Sequence, residues 1–137
     1  MIDFLLDDLN LLPAFLGYWL VSVSLVGVFA WLYTHATPYR EISLIRQGNV
    51  AAAWSLGGAL LGYVAALAFV IAHSVETHEL VFWGILAGAV QIGAYRLVRF
   101  ILPNLAEGIE QGRETYGLFL GLVSTGLGLL TGACMVP

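Results

Sequence analysis

The chain has 137 residues, of which 60% are hydrophobic and 10% are charged, and its formal net charge is −4. A soluble domain carries roughly 25% charged residues, so this composition excludes a water-soluble globular protein and indicates a membrane protein. Five basic residues are too few for a nucleic-acid-binding surface, and a single cysteine, Cys134, excludes both an intrachain disulfide and a multi-cysteine metal site.

Four apolar stretches reach the roughly 20 residues that a helix needs to cross a bilayer. They run from about 14 to 33, 50 to 72, 80 to 102 and 115 to 135. Because they fill most of the chain, we predict an all-α polytopic membrane protein with four transmembrane helices in a single domain, residues 1–137. The first segment lacks the basic n-region of a cleavable signal peptide, since only acidic residues precede it, so we expect it to be retained.

The positions of the arginines predict the orientation. All five basic residues lie within two stretches, Arg40–Arg46 and Arg96–Arg113, each between two apolar runs. Loops rich in Lys and Arg stay in the cytoplasm. We therefore expect loops 34–49 and 103–113 to be cytoplasmic and both termini to lie outside, with a polar outer loop at 73–79.

The chain resembles itself after a shift of 64 residues. The clearest match places Ile45, Gln47 and Gly48 on Ile109, Gln111 and Gly112. This pattern predicts two parallel copies of a helix–connector–helix unit, about 14–72 and 80–135, related by a pseudo-two-fold axis along the membrane normal. The alternative is a coincidence between glycine-rich helix turns.

The two connectors are predicted to be short amphipathic helices at the cytoplasmic interface. In the first, Ile42 and Ile45 share a helical face, and Arg40 and Arg46 would face water. Asn49 is a natural N-cap for the second membrane helix.

Small residues spaced four apart predict the helix contacts, because membrane helices associate through close packing at such positions. Three of the four helices carry this spacing, so we expect the first helix to pack more peripherally. A role as gating hinges is the alternative for these glycines. The predicted packing residues are Gly57, Gly58, Gly62, Gly84, Gly88, Gly117 and Gly121.

Polar residues inside a membrane helix are functional candidates. Gln91 lies near the middle of the third helix, and Arg96 and Arg99 lie closer to its cytoplasmic end. Together they form a candidate intramembrane polar site. The alternatives are that Gln91 bonds helices together and that the arginines reach the headgroups. We expect Arg96 to pair with an acidic residue at the start of the fourth helix or with lipid phosphate.

A second candidate site lies where the second and fourth helices begin. Free backbone N–H groups at helix starts favour anions, and Arg46, Asn49 and Arg113 stand at these points. They could bind a phosphate or an anionic lipid headgroup. Ordinary capping beside topology-setting arginines is the alternative.

No nucleophile–base pair, phosphate loop or cofactor motif is found, so we expect neither an enzyme nor a bound cofactor. His73, Glu76, His78 and Glu79 form an outer cluster, which we interpret as a solvated polar loop and not as a metal site, because loop ligands seldom converge.

The sequence resembles a known family. Gly48-Asn49-Val-Ala-Ala-Ala, followed by Gly57-Gly58-x-x-Leu61-Gly62, is similar to the hallmark of the YjfL-type family of bacterial inner-membrane proteins, a domain-of-unknown-function family. The tail 131–135 resembles the family's ending but departs from it at Thr131-Gly132. The resemblance implies four membrane helices, an inner-membrane location and no assigned activity. Further matching positions are Ser74, Trp83, Gln91, Arg99, Pro103, Ile109, Gly112, Gly121, Ser124 and Gly126.

Two functions fit these observations. The first is a structural or accessory membrane protein that forms homo-oligomers and presents its cytoplasmic arginine loops to anionic lipid or a protein partner. The second is an oligomeric small channel or transporter with a polar path near Gln91 and Arg96. The first predicts a dry bundle, and the second predicts that water reaches Gln91.

Overall fold

The computed structural model describes residues 1–73 and 76–135. Positions 74, 75, 136 and 137, which include two positions of the predicted outer loop, lie outside the described residues. The described chain folds as six helices: α1 (Ile2–Ala36), α2 (Glu41–Arg46), α3 (Val50–His73), α4 (Thr77–Ile101), α5 (Leu105–Glu110) and α6 (Glu114–Met135). Four of them, α1, α3, α4 and α6, are long and apolar enough to cross a membrane. The predicted all-α fold with four membrane helices is confirmed.

Helix α1 is longer than its apolar pattern predicted. It begins at Ile2 and continues without interruption through Pro13 for 35 residues. At about 1.5 Å per residue, such a helix is far longer than the roughly 30 Å of a hydrocarbon core. Its first turns, with Asp3, Asp7 and Asp8, therefore lie beyond the span. The apolar stretch predicted from about residue 14 lies within this helix, and its N-terminal extension was not predicted because it passes through a proline, which membrane helices tolerate.

Helices α3 and α6 make the most extensive contact in the bundle, and α4 packs against both. Glycines bring the α3 and α6 backbones together. Gly58 lies against the backbone of Gly121, Gly128 lies against that of Gly62, and Gly117 lies against that of Ala51. A side chain at these contacts would separate the helices, so the backbones pack without intervening side chains.

Helix α1 lies at the edge of the bundle, and only Phe29 and Tyr33 of this helix are buried. Phe29 stacks on Tyr63 of α3, with ring centroids 4.3 Å apart. On α4, Gly84 makes room for α1, because a Cβ there would lie 3.0 Å from the Leu25 side chain, whereas a Cβ on Gly88 would make only ordinary contact with Phe29 and Tyr63. Residues 2–17 of α1 are exposed.

The short helices α2 and α5 each end in a turn of the same type. Gly48 and Gly112 both have positive φ, 87° and 78°, a conformation that glycine adopts without strain. The bonds Asn49 N–H to Leu44 O and Arg113 N–H to Gly108 O are equivalent after the 64-residue shift, and both are 2.9 Å long. The turns are alike, while the duplication of the whole unit stays a prediction.

The two connectors lie at the same end of the bundle and contact each other. The Asn49 amide donates a 2.7 Å hydrogen bond to the carbonyl of Ile109 in α5. Its Oδ1 accepts the N–H of Ala52 at 3.0 Å, which confirms Asn49 as the N-cap of α3. Arg40, Arg46 and Arg113 all belong to this end of the molecule, the connector end.

Candidate functional site

Gln91 lies in the centre of the α3–α4–α6 contact, with 1% of its surface exposed. Its Nε2 donates to the carbonyls of Ala59 in α3 and Ser124 in α6, both at 3.1 Å. The amide packs directly on Gly62, where a Cβ would overlap it. Gln91 therefore joins three helices by bonding two backbone carbonyls. Its Oε1 has no hydrogen-bond partner among the described residues.

Arg96 and Arg99 do not join Gln91. Both side chains are exposed on the outer surface of α4. Within residues 1–73 and 76–135, no carboxylate lies within ion-pair distance of Arg96, so the expected pairing with the start of α6 is not formed in this part of the chain. An exposed arginine in the last turns of a membrane helix can extend along its apolar surface to the headgroups.

The residues of the candidate anion site also have different environments: its arginines are exposed, whereas its asparagine is bonded within the bundle. Arg46 and Arg113 are exposed at the ends of their connectors. The Asn49 side chain lies between them in sequence, but both of its polar atoms are used, as cap of α3 and as donor to α5. Asn49 therefore acts as a structural link between the two halves, and the arginines alone remain free to meet an anion.

The outer cluster is more compact than the sequence predicted. Donor atoms of Glu76, His78 and Glu79 lie within 4.8 Å of one another, and all three side chains are exposed. The Nδ1 of His78 lies 3.0 Å from a carboxylate oxygen of Glu76. Exposed pairs of this kind contribute little to stability.

Sequence reasoning missed a buried polar cluster at the connector end. Glu41, the first residue of α2, is 1% exposed, and around it lie Tyr33 of α1, Tyr39 of the preceding turn and Tyr95 of α4. The Tyr95 ring contacts the rings of Tyr33 and Tyr39, with centroids 6.0 Å and 6.3 Å away. We call these four residues the Glu41 cluster.

By distance and angle, the polar atoms of the Glu41 cluster make no hydrogen bond within the described chain, although Ser55 lies beside the Tyr39 hydroxyl and Arg99 beside that of Tyr95. This holds for both carboxylate oxygens of Glu41 and for all three tyrosine hydroxyls. The nearby Thr37 hydroxyl has one proton and directs it to backbone carbonyls, with Thr34 O at 3.2 Å and Tyr39 O at 3.4 Å. Buried polar groups are almost always satisfied, so five unsatisfied oxygens in one cluster require an explanation.

Burial changes the ionisation of this cluster. Loss of water raises the pKa of the Glu41 carboxyl from 4.5 to about 7, and the nearby Thr37 hydroxyl opposes the shift. The pKa of Tyr39 is also raised, first by burial and then by the Glu41 charge. A carboxyl with this pKa gains and loses its proton near neutral pH.

A signal for Glu41 was present in the sequence. The 64-residue shift places Glu41 on Leu105, which is 0% exposed at the same point of α5. The inward face of α2 is therefore Glu41, Leu44 and Ile45, whereas Ile42 is 52% exposed. A carboxylate thus occupies the place that a core leucine takes in the other connector. The apolar pattern of the sequence placed Ile42 and Ile45 on one helical face and did not single out Glu41.

Comparison with known proteins agrees with this architecture. Residues 5–135 match a family described as Domain of Unknown Function (DUF350). The chain belongs to this family. It is 33% identical over 127 residues to the UPF0719 inner membrane protein YjfL of Escherichia coli K12, covering 93% of this chain and 96% of that protein. It is 26% identical over 130 residues to the UPF0719 transmembrane protein YshE of Bacillus subtilis, covering 90% and 94%. No solved structure matches.

The relatives confirm the resemblance drawn from the glycine motifs. They are named as membrane proteins, one of them of the inner membrane, and their family has no assigned function. Together with the four apolar helices, this identifies the chain as an integral inner-membrane protein. Its activity must be argued from its own residues.

Proposed function

We propose that this protein is a structural or accessory component of the inner membrane that associates with further copies of itself and performs no enzymatic reaction. The observation that carries the proposal is the sealed centre of the bundle. Gln91, the amide at mid-helix depth, is bonded to Ala59 and Ser124 and has 1% of its surface exposed. The backbones of α3 and α6 touch above and below it.

The sealed centre favours this proposal over an oligomeric channel or transporter with a polar path near Gln91 and Arg96. A path within one copy would bring these two side chains to a common cavity. Instead, Gln91 faces the α3–α6 contact and Arg96 faces outward. Water at Gln91 would have to replace bonds to two helix carbonyls.

An open groove on the outer face of α3 and α6 supports self-association. It has a volume of about 420 Å³, and small residues form much of its lining, including Ala53, Gly57 and Gly121. Nothing lies within 4 Å of a Cβ placed on Gly57. The small residues on this face therefore leave space that the chain itself does not fill, and close approach at such residues is how membrane helices associate.

We propose that the occupant of this groove is helix α1 of a second copy. Residues 2–17 of α1 are exposed, and the helix has no buried residue before Phe29, although Tyr18, Val21 and Leu25 are partly buried against the bundle. Large side chains of this helix, such as Trp19 and Leu20, are 52% and 57% exposed. The same molecule thus carries an apolar helix surface that its own bundle leaves exposed and a groove that its own side chains do not fill.

The test replaces Gly57 by leucine, with Gly93→Leu as the matched control. A Cβ added to either glycine meets no atom within 4 Å, so we expect both variants to fold, but only Gly57 lines the groove. We expect Gly57→Leu to weaken self-association in lipid nanodiscs or mild detergent by roughly tenfold, about 1.4 kcal/mol. Gly93→Leu should match the unsubstituted protein. A monomeric unsubstituted protein, or equal effects of the two variants, would contradict the proposal.

The orientation is the second part of the proposal. We infer that the connector end, loops 34–49 and 103–113, faces the cytoplasm and that both termini face outward. The support is that both connectors, with Arg40, Arg46 and Arg113, lie at one end of the bundle, as positive-inside topology requires. There the exposed arginines would meet anionic lipid or a cytoplasmic protein partner. Cysteines at Arg46 and Glu76, labelled by an impermeant reagent, should react from opposite sides.

A further inference from the structure

We propose that the Glu41 cluster binds a small monovalent cation, held by the Glu41 carboxylate and the hydroxyls of Tyr33, Tyr39 and Tyr95, and that this cation exchanges with a proton on Glu41. The site lies at the connector end, away from the α3–α6 groove, and does not depend on self-association. Four elements contribute to it: α1, the turn before α2, α2 itself and α4.

The first argument is the set of unsatisfied oxygens. Both oxygens of Glu41 and the hydroxyls of the three tyrosines are buried and without partners among the described residues. Leaving a buried polar group without a partner costs roughly 1–3 kcal/mol, and more for a charge. A single bound cation that is coordinated by several of these oxygens would remove much of this cost.

The second argument is the chemistry of the donors. Carboxylate and hydroxyl oxygens are hard ligands, which suit hard cations and not thiophilic metals. One carboxylate among neutral hydroxyls supplies a single negative charge, which a monovalent ion balances. Calcium sites commonly use several carboxylates, whereas the four residues of the Glu41 cluster supply one.

The third argument is the surrounding charge. The facing titratable groups are Tyr33 from α1, Tyr39 from the turn and Tyr95 from α4, while α3 contributes the neutral Ser55. The positively charged side chain that interacts electrostatically with Tyr39 and Tyr95 is that of Arg99. In the part of the chain that the structure describes, Arg99 is not within ion-pair distance of Glu41, so the carboxylate lacks a counter-ion from these residues.

A route to the site exists beside Glu41. An open groove of about 550 Å³ is lined by Glu41 and by residues of both neighbouring helices: Thr34, His35, Arg40, Ile42, Ser43 and Arg46. His35 bonds the carbonyl of Trp31 at 2.7 Å, and the two arginines are exposed to the solution, where salt screens them. Because Glu41 lines this groove and also belongs to the cluster, an ion that enters the groove meets one of the proposed ligands.

Exchange with a proton follows from the ionisation of Glu41. Burial raises the pKa of this carboxyl to about 7, so the empty site is partly protonated at neutral pH. A cation that binds the carboxylate must then displace that proton. The balance is simple: one ion enters, one proton leaves the Glu41 carboxyl, and no bond other than O–H is broken.

The experiment measures proton release from the purified protein in nanodiscs, in weakly buffered solution at pH 7 with an indicator dye. Sodium or potassium chloride is added, and choline chloride serves as the ionic-strength control. We expect alkali ions to release up to about half a proton per chain and choline to release none. Glu41→Gln should abolish the release. Glu107 is an exposed glutamate on α5, and Glu107→Gln should leave the release unchanged.

Two further measurements keep the test decisive if Glu41→Gln does not fold. Infrared difference spectra of the unsubstituted protein should show loss of a protonated carboxyl band when alkali ion is added. Tyr95→Phe, which removes only a hydroxyl, should weaken the alkali affinity severalfold and preserve the proton titration. Equal release by choline, no change in the carboxyl band, or unchanged affinity in Tyr95→Phe would overturn the proposal.

Discussion

Replacing Gln91 by methionine measures how strongly the central amide holds the bundle together. Methionine is unbranched and similar in size, so it fills the space beside Gly62 but cannot donate hydrogen bonds. The bonds to the carbonyls of Ala59 and Ser124, both 3.1 Å long, are lost. Those carbonyls keep their own helical bonds.

The expected magnitude follows from hydrogen bonds between membrane helices, which average about 0.6 kcal/mol and reach about 1.7 kcal/mol. Two such bonds give a loss of about 1.2 kcal/mol and an upper limit of about 3.4 kcal/mol. The substitution also removes the unsatisfied Oε1 of Gln91, which offsets part of the loss. We therefore expect Gln91→Met to lower the free energy of unfolding by about 1 kcal/mol.

The assay is reversible unfolding in mixed micelles with increasing sodium dodecyl sulfate, followed by tryptophan fluorescence. Ile85→Met, on the lipid-facing side of α4 and 66% exposed, is the control and should change stability little. An unchanged free energy in Gln91→Met would refute the reasoning, since it would mean that water or lipid replaces the amide without loss.

Three further predictions concern packing, capping and ionisation. Gly62→Ala should destabilise the bundle by more than about 2 kcal/mol, because the added Cβ overlaps the backbone of α6. Gly57→Ala, where the added Cβ meets no atom, should change the free energy of unfolding little. Unfolding in mixed micelles compares the two variants. Asn49→Ala should cost about 1–2 kcal/mol through loss of the α3 cap, and Asn104→Ala, which makes no capping bond, should cost less than about 0.5 kcal/mol in the same assay. The folded protein holds the Glu41 proton to a pKa of about 7, against 4.5 ordinarily, so in choline buffers stability is highest below pH 4.5 and falls by up to about 3 kcal/mol as pH rises through 7. Glu41→Gln should remove this dependence, and a stability that rises over the same range would contradict it.

The fold could be predicted because its signals are local. Spans of apolar residues located α3, α4 and α6 to within a few residues, and Gly48 and Gly112 marked the turns before α3 and α6. The start of α1 could not be predicted, since the acidic residues before Pro13 resemble a loop and the sequence does not show that the helix continues through proline.

The candidate sites were harder to predict, because they depend on which way a side chain faces. Gln91 and Arg96 are five residues apart on one helix, yet one is buried between helices and the other is exposed. Glu41 resembled an ordinary surface acid of an interfacial helix. Its burial depends on Tyr33 and Tyr95, which come from distant parts of the chain, and no single-segment pattern contains that contact.

The central claim is that the bundle is sealed around Gln91, and a buried thiol beside it tests this most directly. Ser124 is 0% exposed and next to the Gln91 amide, so Ser124→Cys in a Cys134→Ser background changes only one atom at the centre. Cysteines at Arg46 and Glu76 serve as accessible controls. We predict that an impermeant thiol reagent, applied to both sides, labels both controls and leaves position 124 unmodified. Rapid labelling at position 124 would show that water enters the bundle, and it would contradict the accessory function in favour of a conducting one.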